Sequence, residues 1–251
     1  MYRVTDAQVQ ADQREYKKMY KPFRPFSPTA HNLSKMSSGF LNLVTTQNGQ
    51  DTDDYCVGDN NKVEKYLSFL PKQSNVLLLG TGTGREVIVA KEMGLLAAGT
   101  TLGSRNIDFG LDMLGLSSND LIECLNEDLP FKPETFDCVA GFQVFEHTLS
   151  PLLFLLEQSR VLKFGGKLLL EWPPADKFSM GSNPHHQVCF SFGQAKALFQ
   201  KAGFASIKVY YDDMSQVEEK DMWKENQDKM LCIEGTKVRT SERYINNAWS
   251  L

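Results

Sequence analysis

From about residue 62 onward, short apolar runs alternate with segments that carry apolar residues at helical spacing. A continuous apolar run bounded by glycine or proline is typical of a strand buried on both faces, as in a parallel sheet. Because such runs alternate with helical segments through short connections, we predict an α/β fold built on a doubly wound, mostly parallel sheet. The predicted strands are 76–79, 95–102, 121–125, 136–142, 167–172, 206–211 and 229–234.

Residues that cap or end helices mark the connecting segments. Ser150 followed by Pro151 places a capping side chain before proline at the first helical position, which predicts a helix start. We expect that helix to close at the two glycines 165–166. Ser191 and Gln194 have the spacing of a capping box and predict the start of a later helix.

The stretch 75–86, NVLLLGTGTGRE, joins the first predicted strand to the next helix through three alternating glycines. Gly80 allows a tight turn off the strand, and Gly82 lets a ligand approach the backbone closely. Gly84 stands where the helix begins, so the free N–H groups and positive end of that helix point at whatever lies over the loop. This pattern predicts a cofactor site.

Size and charge limit the classes of function. The 251 residues fit one large α/β domain, alone or with an extension. The formal charge is −4 and the pI about 5.6, so no overall positive field attracts nucleic acid or an anionic membrane. We expect no membrane span, because no apolar run approaches the ~20 residues that cross a bilayer.

The five cysteines are scattered and none forms a CxxC pair, so we expect neither a disulfide framework nor a zinc site. The N-terminal stretch is polar and has no apolar signal core, and a reduced cytoplasmic setting is the corresponding expectation.

The chain divides into three segments of different character. Residues 1–60 include KPFRPFSP, whose proline spacing breaks helices and favours extended structure. We interpret this segment as an accessory extension that could cover the cofactor or form part of a substrate pocket; a partly ordered tail is the alternative. The strands and helices predict a domain over residues 61–238, which leaves 239–251 as a C-terminal tail.

Two kinds of cofactor compete for the glycine loop. A dinucleotide fingerprint has the spacing GxGxxG, but Arg85 occupies its third glycine position when counted from Gly80 and Gly82. A dinucleotide site also has an acidic residue at the end of the second strand to hold a ribose, and Thr101 stands there instead. Both departures disfavour a nicotinamide or flavin cofactor.

Several further segments follow the glycine loop in a particular order. They are GTTLGSRN (99–106), DLPFKPETFDCV (128–139), FQVFEH (142–147), EQSRVLKFGGKLLLEWPP (157–174), HHQVCFS (185–191) and AGF (202–204). Together with VLLLGTGTG (76–84), this series resembles the class I S-adenosylmethionine-dependent methyltransferases with a type 11 methyltransferase domain, over residues 62–235. The resemblance implies a Rossmann-like sheet of seven strands that ends in an antiparallel hairpin, and S-adenosylmethionine as the cofactor.

The resemblance also implies which residues contact the cofactor. The glycine loop would pack beneath its methionine and ribose parts. GTTLGSRN is similar to a variant seen in cyclopropane synthases, in which an amide that matches Asn106 contacts the ribose. The acid that relatives have near the adenine amine would fall near Leu125, and Asn126, Glu127 or Asp128 could substitute for it, with Asn126 and Asp128 preferred. The residues implied at the methionine end are Phe142 and Gln143. The full predicted set is Gly80, Thr81, Gly82, Gly84, Thr101, Leu102, Asn106, Asn126, Asp128, Phe142 and Gln143.

The acceptor side carries the residues that suit proton transfer. His186 matches a histidine common before the last core helix in these enzymes, and histidine changes protonation near neutral pH. Glu146 and His147 follow the fourth predicted strand, where α/β folds place ligands; a structural hydrogen-bond pair is the alternative. We predict no metal site, because two adjacent histidines at 185–186 do not form one unless the fold adds carboxylates.

An acceptor pocket could also use the aromatic and sulfur-containing side chains that flank the prolines at 173–174. Trp172, Phe178 and Met180 are the candidates, although core packing is the stronger expectation for Trp172. No oligomeric state is predicted.

The predicted function is methyl transfer from S-adenosylmethionine to a small-molecule, sugar or lipid-like acceptor; nucleic acid is disfavoured by the acidic pI. The alternative is a non-catalytic cofactor-binding or scaffold protein that kept the fold. It is motivated by three positions where relatives often have acids and this chain has Leu78, Thr101 and Leu125.

Overall fold

The computed structural model of the chain describes residues 60–102, 104–174, 186–223 and 229–239. Strands and helices alternate along these residues as predicted. In chain order they are α1 (Asn60–Leu67), β1 (Asn75–Leu79), α2 (Arg85–Glu92), β2 (Leu96–Thr101), α3 (Ser104–Asp112), β3 (Leu121–Glu123), β4 (Phe136–Phe142), a 3-10 helix (Phe145–His147), α4 (Pro151–Val161), β5 (Leu162–Trp172), α5 (Phe192–Lys201), β6 (Phe204–Tyr211), a second 3-10 helix (Glu219–Asp221) and β7 (Leu231–Lys237).

The strands form one seven-stranded sheet in the order β3-β2-β1-β4-β5-β7-β6. Neighbouring strands from β3 to β5 are parallel. The last strand, β7, lies between β5 and β6 and is antiparallel to both. The predicted fold class is confirmed: a Rossmann-like, mostly parallel sheet of seven strands with a C-terminal antiparallel hairpin.

Successive residues of the central strand point to opposite faces of the sheet, as the two-residue period of a strand requires. Val76 and Leu78 join the core beneath α1, α2 and α3, whereas Leu77 and Leu79 join the core beneath α4 and α5. All four side chains are at most 2% exposed. The sheet is therefore covered on both faces, which explains why the strand sequence is apolar throughout rather than alternating.

The strand order reverses between β1 and β4, which lie side by side although other strands separate them in sequence. In open α/β sheets, ligands bind at the carboxyl ends of the strands that flank such a reversal. Here the glycine loop leaves β1, and the segment beginning at Gln143 leaves β4, at that same edge. The topology thus brings the two predicted halves of the site together.

The predicted end of the helix after Ser150 is wrong. The helix that begins at Pro151 ends at Val161, not at the glycines 165–166. The chain turns directly into β5, because Leu162 pairs with Phe136 on β4. The register then shifts so that Lys167 lies opposite Cys138, and the intervening residues, with Gly165 at φ 77°, form a bulge within the strand.

The predicted helix caps have different outcomes. Ser191 and Gln194 form the complete capping box, with the Ser191 side chain accepting from the Gln194 N–H and the Gln194 side chain accepting from the Ser191 N–H. Ser150 occupies the capping position of α4 but its side chain makes no capping hydrogen bond.

In the described part of the chain, no helix combines the length and apolarity needed to cross a membrane. The proposed extension and tail lie outside the described residues, apart from residues 60 and 239.

Candidate cofactor and acceptor site

The glycine loop has a backbone that only glycine adopts readily. Gly80, Gly82 and Gly84 have φ values of 64°, 53° and 91°, so three alternate residues are left-handed. Gly84 directly precedes α2, and no side chain caps the first turn of that helix. The loop therefore presents backbone, free of side chains at these positions, together with the positive end of α2.

Thr100 and Asn126 stabilise the glycine loop through a chain of hydrogen bonds. The Gly80 N–H donates to the Thr100 hydroxyl at 3.1 Å, and this hydroxyl donates to the Asn126 side-chain oxygen at 2.7 Å. The Thr81 N–H donates to the Thr100 carbonyl at 2.8 Å. Sequence reasoning missed Thr100, because nothing in GTTLGS distinguishes it from its neighbour Thr101.

The same loop packs against the segment that leaves β4. A Cβ atom at Gly80 would lie 2.8 Å from Cγ2 of Val144, closer than side chains tolerate. Gly80 is thus required by contact with the chain itself as well as by its left-handed φ. As a result, the loop after β1 and the segment after β4 form one continuous edge.

A buried hydroxyl–amide pair stands at the end of β2. The Asn106 side-chain amide donates to the Thr101 hydroxyl at 3.3 Å and to the Leu102 carbonyl at 3.0 Å. Thr101 is 3% exposed and Asn106 is 6% exposed. The structure therefore brings together Thr101, Leu102 and Asn106, three of the residues predicted to bind the cofactor.

The remaining predicted cofactor residues make different contacts. Because the side-chain oxygen of Asn126 is bonded to Thr100, Asn126 supports the loop from within the fold. Asp128 is half-buried in the turn after β3, with its N–H donating to the Leu125 carbonyl at 3.1 Å. At the end of β4, Phe142 stacks on Tyr66 of α1 with ring centroids 5.4 Å apart.

Gln143 belongs to a polar cluster that sequence reasoning did not find. Its centre is Glu171, a fully buried residue near the carboxyl end of β5. The Glu171 carboxylate accepts from Lys62 Nζ at 2.6 Å, from the Tyr66 hydroxyl at 2.9 Å and from the Gln143 amide at 3.1 Å. The available signal was a single acid in the otherwise apolar run LLLEW.

The protonation states around Glu171 fit this arrangement. Burial raises the pKa of Tyr66, so its hydroxyl keeps the proton that it donates to Glu171. Burial also raises the pKa of the Cys232 thiol to about 12, and its sulfur lies 3.4 Å from the Tyr66 oxygen. With the Tyr66 proton directed at Glu171, the thiol is the donor in that second contact.

A second cluster joins the three residues predicted on the acceptor side. Glu146 and His147 lie in the 3-10 helix after β4, and His186 begins the segment before α5. The His147 and His186 rings are 5.0 Å apart between centroids and nearly perpendicular at 76°. Nε2 of His147 lies 3.8 Å from Oε1 of Glu146. Burial raises the pKa of Glu146 to about 8.

Backbone bonds and aromatic packing fix the two parts of this cluster. The N–H groups of Gln187 and Val188 donate to the Glu146 carbonyl at 2.8 and 3.2 Å. The Phe145 and Phe190 rings stack with centroids 4.4 Å apart. His186 is therefore held against the 3-10 helix, although it is 39 residues from His147 in the printed sequence.

The structure describes only one of the three residues predicted to line an acceptor pocket. Trp172 is fully buried, and its indole N–H donates to the Phe190 carbonyl at 3.0 Å, so it packs in the core. Phe178 and Met180 lie outside the described residues.

The fold agrees with the class of protein that the motifs resemble. The seven-stranded sheet has one antiparallel strand inserted next to its edge and a glycine loop at the strand reversal, as the resemblance to the class I methyltransferases implies. Residues 77–170 match the family model described as a methyltransferase domain, type 11. This stretch of the chain is thus similar to the methyltransferase domain of that family, in agreement with the resemblance found in its motifs.

Curated relatives match a similar part of the chain. A Mycobacterium tuberculosis protein named "Probable S-adenosylmethionine-dependent methyltransferase" is 31% identical over 86 residues, covering 33% of this chain and 31% of the relative. A protein of the same description from Mycolicibacterium smegmatis is 35% identical over 81 residues, or 31% of this chain and 32% of the relative. The chain matches about a third of the length of each.

Solved structures agree in fold. Phosphoethanolamine N-methyltransferase 2 of Haemonchus contortus, in complex with S-adenosyl-L-methionine, superposes with a TM-score of 0.58 at 17% identity, over 72% of this chain and 52% of that one. The YcgJ protein of Bacillus subtilis superposes with a TM-score of 0.56 at 17% identity, over 72% of this chain and 98% of that one.

Proposed function

We propose that the chain binds S-adenosylmethionine over the glycine loop and transfers its methyl group to a small-molecule, sugar or lipid-like acceptor. The main support is the loop itself, in which three left-handed glycines lie at the strand reversal beside the uncapped start of α2. Such a backbone can approach a ligand more closely than any loop with side chains at those positions. The matched methyltransferase domain supports the same activity.

The residues at the strand ends fit the parts of this cofactor. The carboxylate of its methionine part would find the free N–H groups at the start of α2. Both amide hydrogens of Asn106 are engaged with Thr101 and Leu102, which leaves the amide oxygen to accept from a ribose hydroxyl. Phe142 and Gln143 would line the methionine end from the β4 side.

The chemistry asks little of the protein beyond alignment. The sulfonium is an activated leaving group, so holding the acceptor atom, methyl carbon and sulfur in line supplies much of the rate. A proton acceptor matters when the acceptor is a hydroxyl. We propose that Glu146, His147 and His186 serve the acceptor side, with the His147 side chain, 37% exposed, the most accessible of the three.

A second candidate function is cofactor binding without transfer. It is favoured by the absence of acids at Leu78, Thr101 and Leu125, and Leu78 is 1% exposed in the core, where it offers nothing to a ligand. In both candidates the loop would rely on backbone contacts and on Asn106. The two candidates differ in whether S-adenosylhomocysteine is produced.

Cofactor binding is the first test. Calorimetric titration of the full chain with S-adenosylmethionine should show one saturable site. Gly82→Val should weaken it more than 100-fold, because a branched side chain would fill the loop and strain a residue at φ 53°. Gly165→Val is the matched control: it also replaces a left-handed glycine, at φ 77°, but in the β5 bulge.

The outcomes separate the hypotheses. Normal binding by the Gly82→Val protein would show that the cofactor is placed wrongly, and no binding by the wild-type protein at millimolar ligand would remove the methyltransferase proposal. An acceptor screen that follows S-adenosylhomocysteine release then distinguishes transfer from binding alone.

A further inference from the structure

The cluster of Glu146, His147 and His186 has the composition of a metal site. Each residue offers one ligand atom, a carboxylate oxygen or an imidazole nitrogen, and these atoms all lie within 4.8 Å of one another. In tetrahedral zinc sites, bond lengths of ~2.0–2.2 Å put ligand atoms about 3.3 Å apart. Small rotations of the three side chains would therefore bring them to coordination distance.

The burial of the Glu146 carboxylate is a second observation that supports a metal site. The residue is 2% exposed, and neither carboxylate oxygen has a hydrogen-bond partner among the described residues. A buried carboxylate without hydrogen bonds or a counter-ion is strongly unfavourable. The nearby cation Lys62 does not fill that role, because it is bonded to Glu171. His147, whose Nε2 lies 3.8 Å from Oε1, balances the charge only when it is protonated; with a neutral His147 the described residues leave a place for a cation beside Glu146.

The geometry points to a divalent transition metal ion held by Glu146, His147 and His186, and we propose this site as new to the chain. Two imidazoles with one carboxylate suit zinc, iron or manganese, whereas magnesium and calcium prefer sets made only of oxygen ligands. Sequence reasoning predicted no metal because it counted only the two adjacent histidines at 185–186. The fold instead brings Glu146 and His147 to His186 from a segment about 40 residues earlier in the chain.

The two segments that carry the ligands are held in place before any ion binds. The Glu146 carbonyl accepts from the N–H groups of Gln187 and Val188, so the backbone next to His186 is joined to the backbone of another ligand residue. The Phe145–Phe190 stack supports the same junction. Ligands fixed by backbone bonds lose little conformational freedom on binding, which favours affinity.

The position of the site indicates its use. It lies after the carboxyl end of β4, and Val144, two residues before Glu146, contacts the glycine loop. Three protein ligands leave coordination positions open, as in catalytic zinc sites. An acceptor oxygen bound there would be oriented, and its proton would become easier to remove. This use rests on the proposed methyltransferase function, whereas metal binding itself does not.

Metal binding by the full chain is the direct test. Tag-free protein stripped with chelator would be titrated calorimetrically with ZnCl₂, MnCl₂ and MgCl₂, and bound metal counted by mass spectrometry. We expect one zinc or manganese ion per chain, with magnesium at least 100-fold weaker. Glu146→Gln should weaken zinc binding at least 100-fold, and Glu234→Gln, which alters a carboxylate paired with Lys167 on β7, should leave it unchanged.

A second variant tests the metal site in case the first one does not fold. His147→Gln removes a half-exposed ligand and should give the same loss of zinc binding if Glu146→Gln fails to fold. Absence of a saturable metal site, or equal zinc affinity in all variants, would overturn the proposal; preference for magnesium would overturn the choice of metal class.

Titration with S-adenosylmethionine, run in parallel, separates this inference from the proposed function. Metal binding without cofactor binding would keep the metal site and remove the methyltransferase proposal. Cofactor binding without metal binding would remove the metal site and keep the methyltransferase proposal. Methyl transfer at equal rates in stripped and zinc-loaded protein would remove the role in orienting the acceptor.

Discussion

Glu171 and Glu146 are buried carboxylates at the same edge of the sheet, and their surroundings differ. Glu171 lies near the carboxyl end of β5, and Glu146 lies in the 3-10 helix that follows the adjacent strand β4. Glu171 faces α1 and accepts hydrogen bonds from Lys62, Tyr66 and Gln143. Glu146 faces the segment before α5, and its carboxylate has no hydrogen-bond partner in the part of the chain that the structure describes. Both residues are at most 2% exposed.

The difference separates a structural acid from a candidate ligand. Buried charges persist in proteins when they are paired and hydrogen-bonded, and Glu171 meets both conditions within the chain. It thereby fastens α1 to the sheet next to the cofactor edge. Glu146 has no hydrogen bond among the described residues, and the imidazole of His147, 3.8 Å from Oε1, balances its charge only when protonated. A bound cation would stabilise that charge. The same residue type thus serves stability on one side of the sheet and binding on the other.

The largest effect is expected from Glu171→Ala. It would leave Lys62 and the Tyr66 hydroxyl without their acceptor, and removing one partner of a buried pair costs about 3–5 kcal/mol. We expect about 3 kcal/mol, because the Lys62 side chain is 27% exposed and regains some hydration. The free energy of unfolding from denaturant titration measures it.

The control for Glu171→Ala is Glu218→Ala, which removes an acid from an ion pair with Lys220 on the surface. That variant should unfold like the wild type. If the two variants lose similar amounts of stability, burial and hydrogen bonding do not distinguish Glu171 from a surface acid, and the comparison fails.

Much of the fold could be predicted because it depends on local pattern. Apolar runs placed all seven strands, and glycines, prolines and the Ser191 capping box placed most helix ends. The boundary at β5 could not be predicted, because it depends on pairing. Only the register with Phe136 of β4 shows that Leu162 already belongs to the sheet and that the glycines 165–166 lie in a bulge.

In the candidate site too, contacts local in sequence could be predicted and contacts between distant residues could not. The glycine loop and the Thr101–Asn106 pair are local in sequence and could be predicted. The Glu171 cluster joins residues 105 and 109 positions apart, and no short motif encodes such a contact. The Glu146 cluster was predicted residue by residue, but its metal-binding composition appears only when folding places the carboxylate beside His186.

A smaller effect is expected from Tyr66→Phe, which keeps the ring stacked on Phe142 and removes only the hydroxyl. The lost group is a buried donor to a carboxylate, and hydrogen bonds to charged groups contribute about 1.5–3 kcal/mol. We expect about 1.5 kcal/mol, since Lys62 and Gln143 still bond to Glu171. Tyr210→Phe, in the neighbouring ring 6.4 Å away, is the matched control. Equal losses in both variants would mean that the bond to Glu171 adds nothing.

The smallest effect, and the one of opposite sign, is expected from Glu146→Gln in metal-free protein. Glutamine has nearly the same shape but no charge to desolvate, so the variant should match the wild type or gain up to about 1 kcal/mol in unfolding free energy. Adding zinc should then make the wild type more stable to unfolding than the variant. A ligand that binds only the folded state stabilises it by about 2.7 kcal/mol at a free concentration of 100 times its Kd, and the variant should not gain this. A loss of several kcal/mol in the metal-free variant would instead mean that Glu146, like Glu171, already has its partners within the protein.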